Sequence, residues 1–271
     1  MDAIQAIVLG IVQGLTEFLP ISSTGHLRIV PAFLGWDDPG AAFTAVIQLG
    51  TMLAVLIYFR QDLWRIATTW FKSLRTPELR SDLDARMGWY IGLGTIPIAI
   101  FGLIFSDQIE SGARNLYLIG TTLIVLGLVL LVAEQVAKRN RDLTDIKAKD
   151  AALIGLAQAA ALVPGVSRSG STITAGLFVG FDRESAARYS FLLSVPAVVL
   201  SGLFELRKIG DPGGAGPVPT IIATVIAFLV GYASIAWLLR WLTSHSTVVF
   251  VVYRIAMGLL VITLTAAGAI S

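Results

Sequence analysis

Residues 155–170 read GLAQAAALVPGVSRSG, and residues 11–25 read IVQGLTEFLPISSTG. Each is a short apolar run that carries a glutamine, meets a proline and breaks into hydroxyls and glycine. They align with one residue of slippage after the proline. The stretch Pro164–Thr172, PGVSRSGST, holds Ser167, Ser169, Ser171, Thr172, Arg168 and two glycines in nine residues. Arginine presents a planar fork of donors that matches phosphate oxygens. Glycine turns backbone N–H groups toward an anion, and a helix that starts there adds its positive end. The stretch reads as a phosphate cradle, or in a plainer reading as a polar loop at a membrane surface.

The surrounding chain is apolar. Its 271 residues are 55% hydrophobic and 14% charged, with mean hydropathy +0.78. Soluble domains carry roughly 25% charged residues, so a polytopic membrane protein is the expected class. A net charge of +2 spread over loops excludes an evident nucleic-acid surface. The chain has no cysteine, which excludes disulfides and thiolate metal sites, and its two histidines leave little room for zinc. A cleavable signal peptide fits the N-terminus poorly. Asp2 stands where a basic start is usual, and Gln13 and Glu17 interrupt the apolar run.

Residues 3–19 are expected to form an apolar helix stopped by Pro20, followed by a second apolar segment at about 24–35 ended by Pro31 to Gly40. Twelve helical residues rise only about 18 Å against a hydrocarbon core of about 30 Å. The second arm therefore cannot cross alone, and residues 3–35 read as a re-entrant hairpin, tolerated where protein or a watery cavity surrounds it. Spans follow at about 41–59, 87–106 and 116–136, with 60–86 as a long charged loop. Charge clusters mark the span ends: Arg60 and Asp62, Asp107 and Glu110, and Lys138, Arg139 and Arg141. The order then restarts: a short helix at 151–163 stopped by Pro164, a second arm at 171–181, and spans at about 186–204, 218–241 and 247–270.

The chain is thus read as a single membrane domain built from a tandem repeat, about 1–137 and 150–271. A hairpin plus three spans is an odd number of crossings, so the second copy starts from the opposite face. The expected fold is all-α: six transmembrane helices plus two re-entrant helix hairpins in an inverted-topology repeat, with the hairpin tips meeting near the midplane. Basic residues concentrate in 60–86 and 137–149, whereas 107–115 and 205–217 hold only Arg114, Arg207 and Lys208. The positive-inside rule places the first pair of loops in the cytoplasm, with both termini and the first hairpin outside.

Ionisable groups at bilayer depth are costly and usually functional. Here they are Glu17, His26, Arg168 and Arg254. Glu17 and Arg168 occupy equivalent places and would partly neutralise each other if the tips meet; a purely structural ion pair is the plainer reading. The tip hydroxyls Ser22, Thr24, Ser167, Ser169 and Thr172, with Arg168 and two helix ends, suit an anion with several oxygens. Ser23 lies three residues before His26, near enough for a Ser–His partnership, and His26 is open as nucleophile, acid–base group, donor or structural histidine. Glu17 with Gln13, four residues apart on one face, is the candidate site for a divalent cation, Mg²⁺ or Ca²⁺. Arg254 is read as structural, paired with Glu205 or Glu134, or bound to lipid phosphate. His245 is read as ordinary.

These motifs resemble the bacterial undecaprenyl-diphosphate phosphatases associated with bacitracin resistance. The resemblance is carried by QGLTEFLPISSTGH at 13–26, VIQLG at 46–50, LVPGVSRSGSTIT at 162–174, SFLLSVP at 190–196 and the YR pair at 253–254. It implies an inner-membrane enzyme that hydrolyses undecaprenyl diphosphate to undecaprenyl phosphate and phosphate, recycling the lipid carrier of cell-wall synthesis. It also implies an active site open to the outside and support from divalent cations. The family's (Glu/Gln)-x-x-x-Glu signature with its downstream histidine falls on Gln13, Glu17, Ser23 and His26; its Pro-Gly-x-Ser-Arg-Ser-x-x-Thr signature falls on Ser167, Arg168, Ser169 and Thr172. The family alternates Glu and Gln at position 13; this chain has Gln, which costs one possible metal ligand. Ser23, His26 and water remain open as nucleophile. The expected partners are the lipid substrate and the bilayer, with a homodimer left open. The rival reading is a polyprenyl-phosphate flippase using the same midplane site.

Overall fold

A computed structural model describes residues 1–105, 115–205 and 215–271. Among them the protein is all-helical, with eleven α-helices and three short 3₁₀ segments at Pro77–Ser81, Leu143–Asp145 and Ala160–Leu162. The expected charge clusters at Asp107 and Glu110, and Arg114, Arg207 and Lys208, lie outside the described residues.

Helix α1 spans Ala3–Thr16 and begins in a capping box, where the Asp2 carboxylate accepts from the Gln5 N–H and Gln5 accepts from the Asp2 N–H. After the Pro20 break, α2 runs Ser23–Leu34. Pro31 lies inside α2 rather than ending it; the stop is Gly35, at φ 66° in the left-handed region that a glycine enters without steric cost. Helix α3, Gly40–Tyr58, is followed by α4, Arg60–Ser73, at a bend of 77°. The long loop expected at 60–86 is therefore mostly helical. Its charges do not oppose a helix, because they share it with Trp64 and Phe71 in an amphipathic pattern that leaves both aromatics exposed.

Helices α5, Leu83–Ile104, and α6, Leu116–Val136, follow. A second short pair comes next: α7, Ala148–Ala159, and α8, Arg168–Phe178. The chain continues through α9, Arg183–Glu205, α10, Pro217–Leu242, and α11, Val248–Ala266. Five of these helices are long and apolar enough to cross a bilayer, or six if the bent α3–α4 pair counts as one span. The protein is a multi-pass membrane protein.

The packing has a pattern. Helix α1 lies mainly against α10, α7 mainly against α5, α3 against both α9 and α10, and α6 against α11. Between hydrocarbon tails no hydrophobic force separates helix from lipid, so close backbone approach does the joining. Gly155 meets Gly94 across α7 and α5, and Gly258 meets Gly120 across α11 and α6. A Cβ on Gly155 or on Gly258 would sit 2.6 Å from the carbonyl oxygen of Gly94 or Gly120 respectively. At one end of the bundle, Glu134 on α6 accepts from Arg183, from Arg139 at 2.7 Å and from the Thr247 hydroxyl at 2.7 Å, tying α6, α9 and α11.

Candidate active site at the meeting of two helix breaks

The two breaks are built alike. Ser22 and Ser167 both have left-handed backbone, φ 77° and 74°. Each caps the helix that follows it, its hydroxyl oxygen accepting from the N–H three residues on: Gly25 at 3.3 Å and Gly170 at 3.0 Å. A non-glycine residue in that region is disfavoured. Two such serines at matched places mark tips whose shape the surroundings impose.

The tips touch. Arg168, the first residue of α8, forms an ion pair with the Glu17 carboxylate at the end of α1, and Ser169 donates to the Leu19 carbonyl at 3.0 Å. The other Glu17 oxygen accepts from the Ser23 hydroxyl at 2.5 Å and from the Gln13 amide at 2.9 Å. Gln13 also donates to Thr51 on α3 at 3.3 Å. Glu17 is only 6% exposed, so its charge needs these donors. Two buried atoms in the cluster have no hydrogen-bond partner, Arg168 Nη1 and Gln13 Oε1. A guanidinium N–H at the start of a helix has the charge and the donor polarity to meet an anion's oxygens.

Ser23 thus partners Glu17, and the Ser–His partnership does not form. His26 Nδ1 lies 2.7 Å from the Ser22 carbonyl, one helical turn back, and Nε2 lies 2.7 Å from the Tyr253 hydroxyl. Both ring nitrogens are thereby taken, so neither is left to accept from Ser23. Thr24 is half-buried with its hydroxyl 3.4 Å from that of Ser22. Ser167 shares a hydroxyl contact with Ser169 at 3.2 Å, and Thr172 bonds the Arg168 carbonyl at 2.8 Å and Ser190 at 2.6 Å. His245 stacks on Trp241 at an exposed turn.

Arg254 keeps its structural role but with other partners than expected. It is 1% exposed and is not paired with Glu134, which is occupied by Arg183, Arg139 and Thr247; the Glu205 side chain lies outside the described residues. The Arg254 guanidinium donates to five carbonyls: Pro20 in the first tip, Gly165 and Val166 in the second, and Thr122 and Leu123 on α6. Arginine's fixed fork suits such a task, since carbonyls aimed inward from two chain breaks otherwise lack donors. The sequence signals for Tyr253, Arg254 and Ser190 were the YR pair and the SFLLSVP segment, but neither named a partner.

A divalent cation can be tested against the donors present. Among the described residues no three His, Asp or Glu side chains converge. The available oxygens are one carboxylate, Glu17, and the orphaned Gln13 Oε1. Both Glu17 oxygens already accept from Arg168, Ser23 and Gln13, so a magnesium-type ion would have to compete for them and would draw most of its ligands from water and phosphate.

The family model described as bacitracin resistance protein BacA matches residues 6–260. Relatives named undecaprenyl-diphosphatase include one from Nocardioides sp., 56% identical over 100% of this chain and 99% of its own length. Others are from Thermobifida fusca, 55% identical over 100% and 93%, and Mycolicibacterium smegmatis, 53% identical over 100% and 99%. With identity of this degree running end to end, and with both signature segments meeting in one buried cluster, the chain belongs to the bacitracin resistance protein BacA family.

Proposed function

We propose that this protein is a membrane undecaprenyl-diphosphatase, releasing phosphate from undecaprenyl diphosphate to leave undecaprenyl phosphate for cell-wall synthesis. The observation that carries the reading is the Ser23–Glu17–Arg168 cluster across the two tips. Ser23 Oγ attacks the terminal phosphorus as its proton passes to Glu17 Oε2, 2.5 Å away. The bond from that phosphorus to the bridging oxygen breaks, and undecaprenyl phosphate leaves. Arg168 holds the transferring group through its unpaired Nη1, and the N-termini of α2 and α8 add to the field. Phosphoryl transfer needs positioning and charge stabilisation above all. Ser22, Thr24, Ser167, Ser169 and Thr172 shape the phosphate-facing rim, Ser22 and Ser167 by capping. A divalent ion would be held by Glu17 and Gln13 and, when bound, neutralises diphosphate charge.

The same reading assigns two re-entrant pairs, α1–α2 and α7–α8, in an inverted repeat. Its support is the reciprocal packing: the first arm of each pair lies on the second long helix of the other half, α1 on α10 and α7 on α5, while α6–α11 and α3–α9 pair like with like. The basic α4 and the segment 137–147 then face the cytoplasm, and the termini face out. This reciprocity also favours a second reading, a polyprenyl-phosphate flippase, because inverted repeats around a midplane site permit alternating access.

The test is phosphate release by purified protein in detergent, with and without EDTA, beside Ser23→Ala and Glu17→Gln. The phosphatase reading expects release by wild type and at least about a 10³-fold loss in either variant. Folded wild type that releases none under any divalent ion sinks it. Lipid translocation that survives Ser23→Ala would establish the flippase.

A further inference from the structure

Tyr253 is the partly exposed partner of a buried histidine. It is 37% exposed, whereas Glu17 and His26 are 6% and 4% exposed. Its hydroxyl is 2.7 Å from His26 Nε2, and the rings stack with planes 15° apart. A peptide carbonyl can only accept, so the Ser22 contact places the imidazole proton on Nδ1. Nε2 of the neutral ring then carries a lone pair, and the Tyr253 O–H donates to it. The Ser22 carbonyl also accepts the His26 backbone N–H at 3.1 Å, which seats the ring twice. Neither imidazole nitrogen is left for a ligand. Whatever His26 does to a reacting group, it does through the Tyr253 oxygen.

That oxygen has spent its hydrogen on His26 and offers only lone pairs outward, the polarity needed to accept a proton. His26 lies one helical turn from Ser23, on the same face of α2. The next residue, Arg254, pins α11 to both tips, so the Tyr253 hydroxyl has a fixed position relative to Ser23.

We propose that Tyr253 is the positioning and relay residue through which His26 activates the water that hydrolyses a phosphoryl-Ser23 intermediate. This rests on the phosphatase reading above. In the step, the water oxygen bonds to phosphorus and the bond from phosphorus to Ser23 Oγ breaks. The water proton passes to Tyr253 Oη while the Tyr253 proton moves to His26 Nε2. Ser23 Oγ takes back the proton that Glu17 received in the first step. The imidazolium then returns its proton to solvent by the same route. The assignment divides labour: Glu17 serves formation of the intermediate, and His26 with Tyr253 serves its breakdown.

The experiment compares wild type with Tyr253→Phe, which keeps the ring that stacks on His26 and removes only the hydroxyl. Undecaprenyl diphosphate radiolabelled in its terminal phosphate is used in rapid-quench assays. Isotope-labelled histidine reports the imidazole by NMR; the chain has two histidines, and His26→Asn identifies the signal. Tyr253→Phe is expected to lower kcat about 10²-fold, in the range of general acid–base contributions. KM should fall with kcat, because the slow step now follows formation of the intermediate, and label should accumulate on Ser23. The His26 Nε2 resonance should shift. An unchanged kcat, a raised KM at unchanged kcat, or a slowed enzyme without labelled Ser23 each overturns the relay. If wild type releases no phosphate, the phosphatase reading fails instead. The NMR arm then decides the pairing alone, and an unmoved Nε2 resonance in Tyr253→Phe overturns it.

Discussion

The two helix breaks share a backbone and divide a chemistry. Both present a left-handed serine that caps a short helix, and both are held by Arg254 through backbone carbonyls. The first tip supplies carboxylate, hydroxyl and imidazole, from Glu17, Ser23 and His26. The second supplies the guanidinium of Arg168 and the hydroxyl of Ser169. Neither alone can neutralise its own charge at that depth, let alone a diphosphate. The two breaks meet because the charges they carry are opposite, Glu17 on the first and Arg168 on the second.

The sharpest way to break that comparison is Arg168→Lys. It preserves the charge and loses the fork, so Glu17 and substrate can no longer be held by separate guanidinium N–H groups. Phosphate release should fall about 10³-fold, with Glu17→Gln/Arg168→Lys hardly worse than the poorer single variant, because residues acting as a unit are not additive. Full additivity would mean that the tips work independently.

Next in size is Arg254→Met. It strips donors from five carbonyls, of which Pro20, Gly165 and Val166 lie outside any helix; at about 1 kcal/mol for each of those three, the cost is about 3 kcal/mol. Thermal unfolding in detergent should show this loss, larger than for any tip hydroxyl variant. A stable Arg254→Met protein would show that the tips are held by something other than this clamp.

Smaller again are the caps. Ser22→Ala and Ser167→Ala should each destabilise by about 1 kcal/mol, and Gly at the same positions by less, since it accepts the left-handed backbone. Equal losses at the two positions support a duplicated scaffold; a loss at only one separates them. The smallest effect expected is on the ion. Gln13→Glu adds a carboxylate beside Glu17 and should lower the divalent-ion concentration for half-maximal activity about tenfold, an increment of about 1.4 kcal/mol in binding. No change in that titration removes Gln13 as a ligand.

Much of this was legible in the sequence, for identifiable reasons. Apolar runs interrupted by Pro20 and Pro164 marked the breaks, because a proline lacks the N–H that a continuing helix needs. Glu17 and Arg168 stood out as charges that a bilayer does not tolerate unpaired. The errors were local. Pro31 looks like a stop in the sequence, but it sits within α2, which Gly35 caps. The charges at 60–86 suggest a loop, but those within Arg60–Ser73 lie on the amphipathic helix α4. A spacing of three leaves a Ser23–His26 partnership open, because it sets a shared face but not a rotamer.

What the sequence determined by itself is the inventory: apolar helices, two proline-broken turns, and a handful of polar side chains placed at the turns. These follow from local rules of backbone geometry and from the cost of charge in hydrocarbon, and they need no knowledge of the distant chain. Which side chains face one another is a matter of long-range packing. Arg168 finds Glu17 across 151 positions, His26 finds Tyr253 across 227, and Arg254 reaches Pro20 across 234. Hydrogen bonds are short and directional, so such pairings exist only once the close contacts of α1 with α10 and of α6 with α11 have set the tips in place.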